Sequence, residues 1–469
     1  MRRKKSWLPV LVILISILAC TLPGTPAATP FVFPTPGKPL FPSVTPGVSQ
    51  GNNIPATTST PTITPRVWPP PYFGSPGPTQ VTPIPSPVAV FHDPDAINFL
   101  LIGSDRRTTS FRTDTLIVVN LQPKYNLITL ISIPRDLFVY IPGWQMQRIN
   151  TAYQHGISTN YPGGGPGLLR DTILYNLGIE IDFMTLVDFQ GFENIIDTIG
   201  GVDVPVYCSY TDWRVINPNK DIEDENNWEL YTVGPGVVHM DGDLALWYAR
   251  SRKKSSDFDR GRRQQEVLRA IYEQALQLNM VTRIPALYQE VTSSVITDIS
   301  LDTALSLVPV AAEIGSARIR SYYINTSNVT GWRSPQGASL LIPDIPKILD
   351  MLTEALGPPK DQEEMHLDTL VEVWNGTNHL DWDVLAAERL NYGGFEPQIG
   401  LADRRNYTQS ILYDFTDGQN TNERLILLNL LGLSPNSVVQ SPNPSSPVSY
   451  RLIIGSDYNP CFNPSKITR

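Results

Sequence analysis

Cysteine is scarce in this chain: there are three in 469 residues, none at metal-ligand spacing. That excludes a cysteine-built metal centre. The N-terminal apolar run, Trp7 to Ala19, is too short to cross a bilayer as an ordinary helix. Positive charge is in the minority: the net charge is −9 and the pI about 5.2. A chain so balanced lacks the broad positive field of a nucleic-acid binder. From Thr21 to Val90 only Lys38 and Arg66 are charged. There are no internal repeats.

What is present begins with an export signal. Arg2, Arg3, Lys4 and Lys5 precede the apolar core, which ends Ile17-Leu-Ala-Cys20. A basic start and a short apolar core read as a signal peptide over residues 1–20. Those last four residues resemble a bacterial lipobox, in which lipid is attached to the cysteine, here Cys20. An uncleaved signal anchor is the other reading. Either way the folded part is expected outside the cytoplasm, tethered to the cell membrane or envelope. Lipidation of Cys20 leaves Cys208 and Cys461, which are either a disulfide or two unrelated thiols.

Residues 21–93 read as a Pro/Thr-rich linker that cannot bury a core and favours extended conformations. It either reaches from a membrane into a surrounding wall or forms a glycosylated stalk. Residues 94–355 mix apolar strands with amphipathic helices, enough for one large α/β domain. A break at 356–365 precedes a small unit over 366–460. Its pattern is strand (Leu370 to Trp374), helix (Trp382 to Leu390), strands near 395–399 and 410–415, helix (Asn422 to Leu431) and strand (Tyr450 to Ile454). That is a two-layer α/β unit, with no catalytic cluster, for which binding or scaffolding is expected.

The large domain opens with strands over Ile97 to Gly103, Thr115 to Leu121 and Leu127 to Ile133, joined by connections short enough for hairpins. As a meander they bring Asp105 with Arg106, Arg112 with Asp114, and Arg135 with Asp136 to one sheet edge. Two carboxylates across a hairpin mouth repel unless a cation lies between them. With a diphosphate they suit Mg²⁺, which takes one or two carboxylates plus phosphate oxygens and water. Surface salt bridges at strand ends are the plain alternative.

A basic run follows. Arg250 to Arg263 holds seven positive and two negative charges. A helix is expected from Asp241 to Tyr248, with Arg250 and Arg252 just past its end. In an extended segment residues two apart point the same way, so both guanidinium groups could fork onto phosphate oxygens. A second helix is expected from near Arg262, placing Arg260, Arg263 and Gln264 at an N-terminus that favours an anion. Asp257 and Asp259 stand there as caps or as a base. A solvated basic loop is again the plain alternative.

These segments together resemble the LytR-CpsA-Psr family of cell-wall glycopolymer transferases. The matching stretches are Leu100-Leu-Ile-Gly-Ser-Asp105, Arg112-Thr-Asp-Thr115, Ser132-Ile-Pro-Arg-Asp136, Arg148-Ile-Asn-Thr-Ala-Tyr153 and Gly163-Gly-Gly-Pro-Gly167. They continue with Asp188-Phe-Gln-Gly-Phe192, Asp197-Thr-Ile-Gly-Gly-Val202, Asp241-Gly-Asp-Leu-Ala-Leu246, Tyr248-Ala-Arg-Ser-Arg252 and Asp259-Arg-Gly-Arg-Arg-Gln-Gln265. Val371-Glu-Val-Trp-Asn-Gly-Thr377 and Ile454-Gly-Ser-Asp-Tyr458 resemble the C-terminal domain often attached to that family.

The resemblance implies a mixed β-sheet flanked by helices, with an apolar pocket for a prenyl chain. It implies transfer of a glycopolymer from a polyprenyl diphosphate carrier to a peptidoglycan-like acceptor hydroxyl. Asp105 and Asp114 would hold Mg²⁺ against the diphosphate. Arg106, Arg135, Arg250, Arg252, Arg260, Arg263 and Gln264 would contact phosphate oxygens, and Asp136 or Asp259 would take the hydroxyl proton. Two departures stand out: an acidic, Asn-rich stretch from Cys208 to Trp228, read as a solvated loop, and a lipoprotein-like signal where the family carries a transmembrane anchor. A passive binder of the same lipid or glycan, and a hydrolase using water as acceptor, are the competing readings; nucleic-acid binding is disfavoured.

Overall fold

The computed structural model describes residue 68 and residues 84–107, 110–217, 220–221, 223–251, 257–277, 295–335, 337–359, 369–418 and 420–461. The stretch expected to be an export signal, Cys20, Arg252 and the expected linker up to residue 83 (Trp68 apart) lie outside them. So do the side chains of Arg106 and Arg112. Among the described residues no helix is long and apolar enough to cross a membrane.

The expected meander is present. Strands β1 (Ile97–Arg107), β2 (Ser110–Gln122) and β3 (Leu127–Ile133) pair antiparallel in sequence order. They form the centre of a six-stranded sheet. Phe183–Asp188 runs parallel to β1 on one side, and Ile319–Tyr323 parallel to β3 on the other. Val295–Thr297 adds an antiparallel edge. The fold is therefore a mixed α/β sheet between helices, as expected.

Both faces of this sheet are covered, which explains the nearly continuous apolar strands. Leu100, Ile102, Val118 and Ile131 face the helices Ala152–Ser158, Gly164–Leu177 and Ile345–Leu356. Phe99, Ile117, Val119 and Leu130 face the helices Asp257–Gln277 and Leu301–Glu313. The strands run further than the apolar pattern reveals. β1 and β2 continue through polar residues to Arg107 and Ser110, so much of the expected Ser104–Asp114 loop is ladder.

The Pro-rich segment is anchored before residue 93. The Val88 and Phe91 N–H groups donate to the Tyr175 and Gly178 carbonyls, at 3.0 and 2.9 Å, and the Tyr175 hydroxyl donates to the Pro85 carbonyl. Gly178 permits the approach: its φ is +69°, and a Cβ there would collide with the Ala89 carbonyl. The acidic stretch is no simple loop either. Tyr210–Val215 and Trp228–Val233 pair as an antiparallel hairpin, with the carboxylates between them.

The C-terminal unit is a five-stranded sheet in the order Pro397–Gly400, Val371–Asn375, Tyr450–Ile454, Ile411–Asp414, Val438–Gln440. The short strand Val438–Gln440 is not evident from the sequence pattern. Helices Trp382–Tyr392 and Thr421–Leu431 cover one face. The unit docks through the first helix: Arg269 lies over the Tyr392 ring at 3.8 Å and Arg389 over Tyr207 at 4.8 Å. Cys208 and Cys461 form a disulfide across the same junction, which settles the open cysteine question.

Candidate active site

A β-bulge builds the first part of the site. Gly103 pairs with Thr115, but the next residue, Ser104, pairs with Thr113, so Asp114 is the extra residue of β2. A bulge re-aims side chains. Here consecutive residues, Asp114 and Thr115, both line one cavity, while the Thr113 hydroxyl donates to the Asn150 carbonyl instead.

That cavity measures about 230 Å³. It lies where β1 and the parallel strand Phe183–Asp188 end, the position at which open α/β sheets bind ligands. One set of lining residues is polar: Asp114, Arg135, Asp188, Arg250, Arg260 and Gln264. The remainder is almost wholly apolar, including Leu101, Ile117, Phe192, Leu246, Val267 and Ile271. A charged group bound to a long apolar chain matches such a lining.

Each polar residue is held. Arg135 donates from Nη1 to the Asp114 carboxylate. Gln264 donates to the Thr115 hydroxyl at 2.8 Å and to the Ala249 carbonyl at 3.3 Å, tying two walls together. The Arg250 guanidinium lies 3.7 Å from the centre of the Phe189 ring. Asp188 accepts from the Gly191 N–H at 2.8 Å and so caps the helix Phe189–Thr198. Glu193 on that helix is pushed above the usual carboxylate range, first by burial and then by Asp243 and Asp197, with Arg250 opposing.

Several expectations need correction. Arg250 is the last residue of the helix Gly242–Arg250, not part of an extended segment beyond it. The next helix starts at Asp257 rather than near Arg262, so Arg260 and Gln264 sit in its first two turns. Arg263 is fully buried behind the cavity wall, bonded to the Ser251 carbonyl and Asp259 and stacked 3.9 Å from Tyr210. It positions the wall and does not reach the cavity. Asp259 is paired with Arg262 at 2.8 Å, and Asp136 with Arg135 and Arg148 at 3.6 and 3.4 Å. Neither carboxylate lines the cavity. Asp105 is half-buried opposite Arg112, two residues beyond the lining Gly103.

Asp188 and Phe189 went unassigned in the sequence, although both fall within a matching stretch. The signal that finds them is topological: they stand at the end of a strand parallel to β1, and pairing of that kind is not written in the residues themselves. Among the described residues no three His, Cys, Asp or Glu side chains converge to cage a metal. The donors at this edge are hard carboxylate oxygens, Asp114 and Asp105. They suit a cation whose remaining ligands come from a bound phosphate and water.

Residues 78–356 match the model of the LytR_cpsA_psr family. A polyisoprenyl-teichoic acid–peptidoglycan teichoic acid transferase TagU from Oceanobacillus iheyensis is 31% identical over 227 residues, covering 47% of this chain and 64% of the relative. TagV of Bacillus subtilis, likewise a polyisoprenyl-teichoic acid–peptidoglycan teichoic acid transferase, is 30% identical over 220 residues, covering 46% of this chain and 53% of the relative. The chain thus spans between half and two thirds of the length of these curated relatives. The crystal structure of B. subtilis TagV superposes with a TM-score of 0.45 at 26% identity, over 57% of this chain and all of that one. With the family model matching more than half of its length, the chain is a member of the LytR_cpsA_psr family.

Proposed function

We propose that the chain is a Mg²⁺-dependent phosphotransferase that moves a glycopolymer from a polyprenyl diphosphate carrier to a hydroxyl of a peptidoglycan-like wall glycan. The observation that supports this reading best is that one cavity is lined both by a set of charged residues and by a larger apolar set. The prenyl chain occupies the apolar part and the diphosphate lies against Arg135, Arg250, Arg260 and Gln264. Asp114 and Asp105 hold the Mg²⁺, which neutralises diphosphate charge when bound.

The acceptor oxygen forms a bond to the sugar-linked phosphorus, and the bond from that phosphorus to the bridging oxygen breaks. Prenyl phosphate leaves with the electron pair. Such a step depends on positioning and charge stabilisation more than on a protein nucleophile. Arg250, braced on Phe189, and Arg260 stabilise the departing phosphate. The hydroxyl proton goes to Asp188, since Asp136 and Asp259 are paired with arginines outside the cavity lining.

The testing experiment offers the purified chain a polyprenyl-diphosphate saccharide and a wall-glycan acceptor, with and without Mg²⁺. Metal-dependent release of prenyl phosphate with sugar on the acceptor is the expected result. Release without acceptor labelling replaces the reading with hydrolysis, and tight binding without release replaces it with a passive carrier.

A further inference from the structure

The C-terminal sheet has its two helices on one face only. Strand alternation puts Val371, Val373, Leu412, Tyr450 and Leu452 under those helices. The residues between them, Glu372, Trp374, Arg451 and Tyr413, point to the opposite face, with Phe415 one row further on. The first helix is the one docked on the transfer domain, so the opposite face looks away from it.

A sheet face turned to water ordinarily shows polar side chains. This one shows three half-buried aromatic rings arranged around a neutralised charge pair. The Tyr413 and Phe415 rings are within 8° of parallel, with centres 6.3 Å apart. The Arg451 guanidinium lies 4.1 Å from the Trp374 ring and 5.6 Å from Phe415, and its Nε donates to Glu372 at 2.8 Å. The Trp374 indole rests on the edge strand at Gly400, where any Cβ would collide with it. Gln398 stands exposed beside Glu372 in the same row.

We infer that this aromatic face binds an uncharged stretch of polysaccharide. Pyranose rings present C–H groups on their flat sides, which meet the electron-rich faces of aromatic rings. Their hydroxyl and acetamido groups meet Arg451, Glu372 and Gln398 at the rim. With Arg451 offset by Glu372 the face carries no net charge, so it suits neither a polyanionic polymer nor an anionic lipid surface. In the proposed reaction the bound polysaccharide is the acceptor glycan; that identification rests on the transferase reading, whereas the binding does not.

Calorimetric titration of the full chain with chitohexaose, a neutral N-acetylglucosamine hexamer, tests the inference. The expected results are binding by the wild type and at least ~10-fold weaker binding by Trp374→Ala and Tyr413→Ala, the scale of lost ring stacking. Trp374→Tyr keeps a ring and should bind within a few-fold of wild type, which separates stacking from misfolding. Arg135→Ala should bind the hexamer normally while failing in transfer. No binding by the wild type, or unchanged binding by folded Tyr413→Ala, overturns the inference. So does hexamer binding abolished by Arg135→Ala, which places the sugar in the cavity. Self-association that Trp374→Ala removes, in place of sugar binding, makes the face an interface between copies and also overturns it.

Discussion

Arg135, at the end of β3, donates to the carboxylate of Asp114, the bulged residue of β2. The pair lines the cavity, with side chains 18% and 26% exposed. Arg135→Ala and Asp114→Asn should each lower transfer by about 10²–10³-fold, as loss of a preorganised charge does. Asp105→Ala should also abolish transfer with the fold intact. Stability should change by no more than about 1 kcal/mol for the Arg135–Asp114 pair. The double variant should be far less than additive. Wild-type rates in folded Arg135→Ala would remove this pair from the mechanism.

Asp188→Asn separates capping from proton transfer. Asparagine caps a helix about as well as aspartate, so the Gly191 N–H keeps its acceptor. A carboxamide does not take a proton at neutral pH. The turnover rate should fall by ~10²–10⁴-fold with little change in melting temperature. Turnover unaffected in the variant assigns the proton elsewhere.

Arg260 and Arg263 lie three residues apart on one helix; both are largely buried, at 8% and 0% exposure, but only Arg260 faces a cavity. Arg260 lines the cavity, whereas Arg263 is fully buried against Tyr210, Asp259 and the Ser251 carbonyl. Arg260→Ala should lose transfer and keep most of its stability. Arg263→Ala should destabilise by about 3 kcal/mol, because it strips a buried, bonded cation from its partners. Denaturant unfolding of both variants distinguishes them, and equal stabilities contradict the structural role given to Arg263.

The contrast shows what the residues disclose and what they withhold. Alternation and short turns were enough to order β1, β2 and β3, because hairpins are local. The edge that gathers Asp114 and Arg135 followed from that order alone. A basic run, however, lists its arginines without saying which side of a helix each occupies. Starting the helix at Asp257 instead of near Arg262 turns Arg260 to the cavity and leaves Arg263 in the wall. Asp188 depended on a parallel pairing across more than eighty residues, and the Cys208–Cys461 bond on docking of two units. Neither is a local property of the chain.

That bond spans 253 residues of sequence. Closing a long loop removes freedom from the unfolded chain, so Cys208→Ala with Cys461→Ala should lower stability by ~2–4 kcal/mol. The C-terminal unit should also become the first part released by limited proteolysis. Non-reducing peptide mapping that finds two free thiols in the wild type would remove the basis for both effects.

Docking of that unit should also depend on pH. Glu388, on the docked helix, is pushed up to about 7 by burial and by the nearby Glu273, with Arg269 opposing and Asn391 donating to it at 3.1 Å. Its folded form therefore binds a proton more readily than the unfolded chain, where a glutamate titrates near 4.5. Between those values the native state holds the extra proton, so stability falls as pH rises. The contribution is complete below about 4.5 and gone above about 7. Glu193 and Glu266 are raised by burial as well and add changes of the same sign. The informative quantity is therefore the difference between wild type and Glu388→Gln, which keeps the shape and cannot titrate. Melting temperatures from pH 4.5 to 8 should fall more steeply for wild type than for the variant, and parallel curves would mean that Glu388 is solvated at the junction.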